Sequence, residues 1–588
     1  MFKTKSVGKA VVFALLLLLL ASAAGFAVGN GEGKGTRVAA AQESTGAPDP
    51  VSLTILWPEE NTANDINTYM PYNEIYKEIV RKTGVSFDIV GWSREKTNVY
   101  IAGGDVPEMV CTNDDVTRSL VDAGMLYDLE PLMEATNSPV LHYALERLNS
   151  ARKTFDGKLW YVTPRARGPE VEVLPPISND VYPSMRWDYY KELGCPSIRS
   201  FDDFLDVLQD MVKRHPDTPE GRKVYAVGSW NDWSGGFWTY LMTTGIVQGM
   251  SQRGGTAYTV KSEDERMIST FVDPQSPLWQ AALFMNKANR RGMLHPDSFT
   301  MKYADFEGAV VRGEILFAPA VYPMQKANID LLAKENTAFL PIPFDFGYSY
   351  MPIGPMRRSP DYVGTVGWGG KNWSITTNCE TPERAMELLN FCFSTEGSRL
   401  IQSGVQGIHW DYVDGEPKMK AEVIAAKMER GEQWHRYCLD GSKGNLNNLS
   451  GLDKPVICED GYAVNLLCVP SAYKLMLDDV QKDFSDYYGV EYPFEAWTKR
   501  YEAGILHHNP NYKGIPMPAV PDDIKRINIK LEDMVLKALP RCILEPKTDD
   551  DFGREMAKTI EQLKAEGAEK SWEWGLAAFE AARAEAYE

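Results

Sequence analysis

Cysteine is scarce: eight in 588 residues, at 111, 195, 379, 392, 438, 458, 468 and 542. No two form C-x-x-C and none stands beside histidine at zinc spacing, which excludes a recognisable zinc module or redox motif. Cys438, Cys458 and Cys468 are the nearest in sequence, and spacing does not decide between disulfides and buried free thiols. Histidine is scarcer still, at seven. The G-x-S-x-G elbow, H-E-x-x-H and the phosphate-binding P-loop are all absent, which removes the commonest hydrolase, metalloprotease and nucleotide-binding readings. His507-His508 is a lone pair and reads as an exposed loop. No internal repeat is visible. Past residue 24 there is no apolar run long enough for a membrane span of roughly 20 residues. No metal, cofactor or catalytic residue is expected.

The one long apolar run lies at the start. Lys3, Lys5 and Lys9 precede residues 10–24, AVVFALLLLLLASAA, and small residues follow through Ala27. A basic start, a short apolar run and a small-residue exit predict a signal peptide over 1–27, with Ala39-Ala40-Ala41 as a later cleavage site. Residues 28–50 read as a flexible lead-in. The first 40 residues carry five basic groups and one acid, so the mature chain stands near −23, against −19 for the whole. Such a field opposes nucleic acid and anionic membrane surfaces and suits a neutral ligand. A mature chain of this size is too long for one core, so two lobes are expected.

Apolar strands alternate with amphipathic helices. Val51–Trp57 reads as a strand, 71–82 as a helix, 85–90 and 107–111 as strands. Phe201, Phe204, Leu205 and Leu208 fall at helical spacing behind Ser200, predicting a capped helix over 201–214. Helices are also expected over 277–291, 325–335 and 382–394, and strands over 314–319, 338–343 and 373–377. Asp114-Asp115 and Asp549-Asp550-Asp551 read as helix N-terminal charge.

Aromatic residues are abundant, with 15 Trp and 28 Tyr. Three Trp stand within Ser229–Trp238 (SWNDWSGGFW), broken by Gly, Asn, Asp and Ser, unlike the stripe of a core helix. Trp368-Gly369-Gly370-Lys371-Asn372-Trp373 is a second such stretch. Flat indole faces suit the C–H faces of sugar rings, and the polar side chains between them suit hydroxyls.

A series of motifs resembles one family. Residues 102–110 (AGGDVPEMV), Leu129-Glu130-Pro131-Leu132 and Asp156-Gly157-Lys158-Leu159-Trp160-Tyr161 come first. Met185–Gly194 (MRWDYYKELG) follows, then the helix after Ser200, Gly292–Asp297, Thr381–Ala385, Gly404–Trp410 and the closing helices over 551–587. In this order they resemble the family 1 extracellular solute-binding proteins of ABC importers, in the large oligosaccharide-binding and lipoprotein branch. The resemblance implies an α/β, two-lobe periplasmic-binding-protein fold of class II type, with ligand in the cleft. It places the first lobe at 50–163 and 320–372, and the second at 164–319 and 373–588, with crossings near 162–166, 318–322 and 369–374. It implies a soluble, monomeric receptor that binds a small-molecule ligand, an oligosaccharide with a peptide as rival, and docks on ABC importer permease subunits. The ligand-binding residues expected are Trp57, Trp160, Arg165, Arg186, Trp230, Trp233, Trp238, Tyr322, Trp368 and Trp373. The leader lacks a lipobox cysteine, so a secreted, unanchored protein is expected. Gln406 stands where the family text has Glu. The stretch after Arg214 is too poor in acids for the calcium loop of some relatives. A secreted carbohydrate-active enzyme and an accessory to a membrane sensor are the competing readings.

Overall fold

The computed structural model describes residues 50–587 except 144–147, 150, 153–154, 156, 167–181, 233–235, 254–256, 262–265, 321–323, 350–370, 509–517 and 519. In chain order, the strands of its two main sheets are β1 (Val51–Trp57), β2 (Val85–Gly91), β3 (Met109–Thr112), β4 (Ser184–Arg186), β5 (Phe317–Ala318), β6 (Phe339–Pro341) and β7 (Asn372–Ile375).

In the first sheet β1 lies parallel between β2 and β3, and β7 joins antiparallel outside β3. Leu53, Ile55, Leu56 and Trp57 are all buried, as a central strand covered on both faces requires. The helix Glu74–Thr83 shows how sequence sets a boundary. The Asn73 side chain accepts the Tyr76 N–H at 2.9 Å, Ile75 and Ile79 face inward, and Gly84 closes the helix at φ 68°. Asp114 and Asp549 do open helices, Asp114–Asp122 and Asp549–Ala565.

In the second sheet β4 lies antiparallel between β5 and β6. The predicted helix over 201–214 is present, with Ser200 Oγ accepting the Asp203 N–H at 3.0 Å and Phe204, Leu205, Leu208 and Met211 buried. Phe204 packs on Phe284, Phe317 and Phe344.

Two large cores surround these sheets, and their membership corrects the expected lobe boundaries. The first core gathers residues 53–166 with Trp373–Phe393, and continues through Trp434 and Leu449 to Leu467. The second gathers 182–344 with Val480, Phe484, Trp497, Leu531, Phe552 and Phe579. Phe339–Pro341 pairs with β4, so the described residues on both sides of the crossing expected near 318–322 belong to the second sheet. Asn372–Ile375 pairs with β3, which brings the following helices into the first lobe rather than the second. The chain leaves the first core after Ala166, re-enters it at Asn372 and leaves again between Met476 and Val480. The three closing helices, Asp522–Leu544, Asp549–Ala565 and Ala568–Tyr587, pack with the second core. Among the described residues no helix is long and apolar enough to cross a membrane.

Candidate functional site

In open α/β sheets ligands sit outside the carboxyl ends of the parallel strands. Here that edge is formed by Trp57, Gly91 and Thr112, with Asn372 beside Thr112 because β7 runs the opposite way. The Trp92 N–H donates to the Trp57 carbonyl at 2.8 Å, which fixes the two strand ends together. Gly91 permits the close approach of helix Glu60–Tyr69: a Cβ there would stand 2.6 Å from Glu60 Cα.

Two ion pairs sit at this edge. Lys371 Nζ lies 2.5 Å from Glu59, and Lys96 Nζ lies 2.6 Å from Glu60. Partial burial works to raise the Glu59 carboxyl, but the Lys371 ammonium outweighs it and holds Glu59 below the ordinary value. The Glu59 side chain is still 57 % exposed, so an ionised acceptor faces outward. Behind it the Asn372 amide and the Thr112 hydroxyl both meet Thr117 Oγ1, at 3.2 and 3.1 Å.

The structure brings Trp57 and Trp373 together but as core: their rings are 1 % and 0 % exposed. The Trp373 indole N–H donates to the Asn448 carbonyl at 2.6 Å. Neither ring offers a free face to a sugar, which corrects the expectation of direct stacking. Trp160 is half-buried against the same core, with Lys158 Nζ 5.2 Å from its ring centroid. Arg165 sits in the left-handed region at φ 58°, where the chain is pinned by its N–H to the Ser450 carbonyl. Its charge bears on Asp440. Burial opposes the Asp440 carboxylate, but Lys454 at 2.6 Å, Lys427 and Arg165 together hold it ionised, below the usual range.

The other expected residues stand in the second lobe. Trp230 is 2 % exposed, wedged on Phe306 at 4.8 Å and Tyr303 at 5.4 Å, so it supports the loop that follows. That loop is pinned by the Asn231 N–H on the Met301 carbonyl and by Asp232 Oδ1 accepting the Tyr303 N–H at 2.8 Å. Trp238 remains half-buried beside Phe237, with its indole N–H shielded from solvent and unmatched by an acceptor. Arg186 is corrected outright. It is 3 % exposed, lies over the Tyr189 ring, and is bound by Asp188 at 2.6 Å and Glu335 at 3.1 Å. Trp233, Tyr322 and Trp368 lie outside the described residues.

Sequence reasoning missed Trp92, Glu59 and Glu60. Trp92 packs half-buried near Leu56 and Tyr100, and its indole N–H, like that of Trp57, is buried without an acceptor. The signal was available: each lies within three residues of the end of a predicted strand. Among the described residues no group of three or more His, Cys, Asp or Glu is placed to hold a metal ion.

Residues 72–399 match the family described as bacterial extracellular solute-binding protein. That is more than half of the chain, and the chain belongs to this family. No curated protein matches its sequence. Similar solved structures include an HMO-binding, ABC-transporter-associated solute-binding protein from Bifidobacterium longum infantis. It is 13 % identical, covers 90 % of this chain and 98 % of its own, and has a TM-score of 0.56. The ABC-transporter substrate-binding protein FusA of S. pneumoniae, an EF-hand mutant in complex with fructo-nystose, is 14 % identical over 91 % of this chain and 100 % of its own, at 0.54. The alginate-binding protein AlgQ2 is 16 % identical over 90 % and 98 %, at 0.53. At these identities the likeness is one of fold: the two-lobe α/β solute-binding architecture.

Proposed function

We propose that this chain is the extracytoplasmic receptor of an ABC importer and that it takes a neutral oligosaccharide between its lobes. The observation that carries this reading is the pairing at the strand edge. Lys96 and Lys371 are each neutralised by a carboxylate, so neither adds an unpaired charge to an edge that offers hydroxyl-binding groups beside half-buried indoles. A sugar presents hydroxyls to Glu59 and an apolar ring face to Trp92, Trp160 or Trp238. The three similar structures bind HMO, fructo-nystose and alginate, which supports a carbohydrate ligand; its neutrality rests on the paired lysines and not on them. Ligand touching both lobes stabilises the closed form by differential affinity, and the permease subunits read that form. No bond is made or broken. The mature protein is exported by a cleaved leader, is not lipid-anchored and acts as a monomer.

A thermal-shift screen of neutral oligosaccharides, uronate oligosaccharides and peptides tests the assignment. Neutral sugars are expected to raise the melting temperature with increasing concentration. A response to peptides or uronates alone would refute the ligand class.

A further inference from the structure

The last passage between the lobes, at Leu477-Asp478, is described throughout. Helix Pro470–Met476 packs beside the first core, and helix Asp479–Tyr488 buries Val480 and Phe484 in the second. Only Leu477 and Asp478 join them. Asp478 belongs rigidly to the second helix: its carboxylate accepts the Gln481 N–H at 2.8 Å, and its own N–H donates to Gln481 Oε1 at 3.1 Å. Leu477 is 5 % exposed and extended, at φ −62° and ψ 121°. Rotation of one lobe against the other at this passage therefore falls on the torsions of Leu477.

Two contacts span the joint. Lys474 Nζ, on the first helix, meets Glu491 Oε1, beyond the second, at 2.9 Å. The rings of Tyr473 and Tyr492 stand 6.3 Å apart, and the Tyr492 hydroxyl donates to Glu491 at 3.3 Å. Each partner is fixed to its own lobe, so bending at Leu477 that draws them apart breaks both contacts together.

We propose that the Lys474–Glu491 and Tyr473–Tyr492 contacts form a strut that sets the resting angle between the lobes. The pair is exposed, at 61 % and 52 %, and contributes little to folding. An exposed pair of this kind is worth enough to move a two-state balance about two- to five-fold, which is a large effect on a receptor that works by changing shape. The inference rests on the two-lobe fold and not on what the cleft binds, so its test uses the ligand-free protein.

The test is single-molecule energy transfer between dyes attached at exposed positions 88 and 210, one on each lobe. Lys474→Glu and Glu491→Lys should each shift the ratio of populations at the shorter and longer interlobe distance about two- to five-fold. The double exchange should return it to the wild-type value, and Tyr492→Ala should shift it in the same direction as the single changes. Melting temperatures should stay close to wild type. If a reversal fails to fold, Lys474→Met and Glu491→Gln make the same comparison. Single variants with an unaltered distance distribution, or a double exchange no nearer wild type than its parents, would overturn the strut.

Discussion

The indole of Trp57 meets that of Trp373 edge-on, with centroids 5.8 Å apart and planes at 72°. Trp57 ends an inner strand of the first sheet, whereas Trp373 lies 316 residues further along, after the chain has built much of the second lobe. This contact joins two separate passages of sequence into one core.

Replacing Trp373 by Ala should therefore destabilise the protein by about 3–5 kcal/mol, the usual cost of emptying a buried aromatic site. Urea denaturation measures it. A loss under 1 kcal/mol would show that the ring is not part of the core.

Trp238 should behave differently. It is half-buried and its indole N–H has no acceptor. Trp238→Ala is expected to weaken binding of a neutral oligosaccharide by roughly 1–3 kcal/mol while changing stability less than Trp373→Ala does. Calorimetry with a sugar found by screening gives the first number and thermal melting the second. Intact affinity would remove Trp238 from the site.

His409 sets a pH dependence. It is 1 % exposed, and its Nδ1 accepts the Val405 N–H at 3.0 Å, a bond that a proton on Nδ1 would abolish. Burial is the largest cause and lowers its pKa from 6.5 to about 4. Between those values the unfolded chain binds the proton and the folded one does not, so stability falls as the pH drops from 6.5 toward 4. The loss from this residue is roughly 3 kcal/mol at most. His409→Asn keeps an acceptor without titrating and should flatten that part of the curve. Parallel curves for the two proteins would contradict this origin.

Mass spectrometry of the native protein should find the mature N-terminus between residues 20 and 42. An intact Met1 or a lipid-modified cysteine would contradict export as a free protein.

Much of the fold was legible in the sequence because it is locally encoded. Val51–Trp57 forms where apolar spacing predicts, and helices starting at Phe201, Pro277 and Pro382 follow their caps or first-turn prolines. The strand expected over 314–319 shrinks to Phe317–Ala318, which pair with β4, while Ile315 makes an isolated bridge to Tyr225. Lobe membership was misread because short apolar strands look alike: nothing within Phe339–Pro341 or Asn372–Ile375 says which sheet each joins. The tryptophans failed for a related reason. Trp230 has glycine and asparagine nearby, as an exposed platform would, yet Phe306 covers it from far along the chain. Arg186 looked like a free cation although its first partner, Asp188, stands two residues on; its second, Glu335, lies 149 residues away in sequence.

The interleaving of the lobes also bears on biogenesis. A ribosome or export channel releases this chain from its N-terminus, and β1–β3 emerge long before β7 closes the sheet beside Met109. The second core waits longer still, for Leu531, Phe552 and Phe579 near the C-terminus. Neither half can finish folding while much of the chain is unmade. Apolar strand edges thus stay uncovered until synthesis is nearly complete, when aggregation and proteolysis are the chief hazards. A chain cut short before Asp522 would leave the second half without its closing helices, and quality-control proteases should clear it.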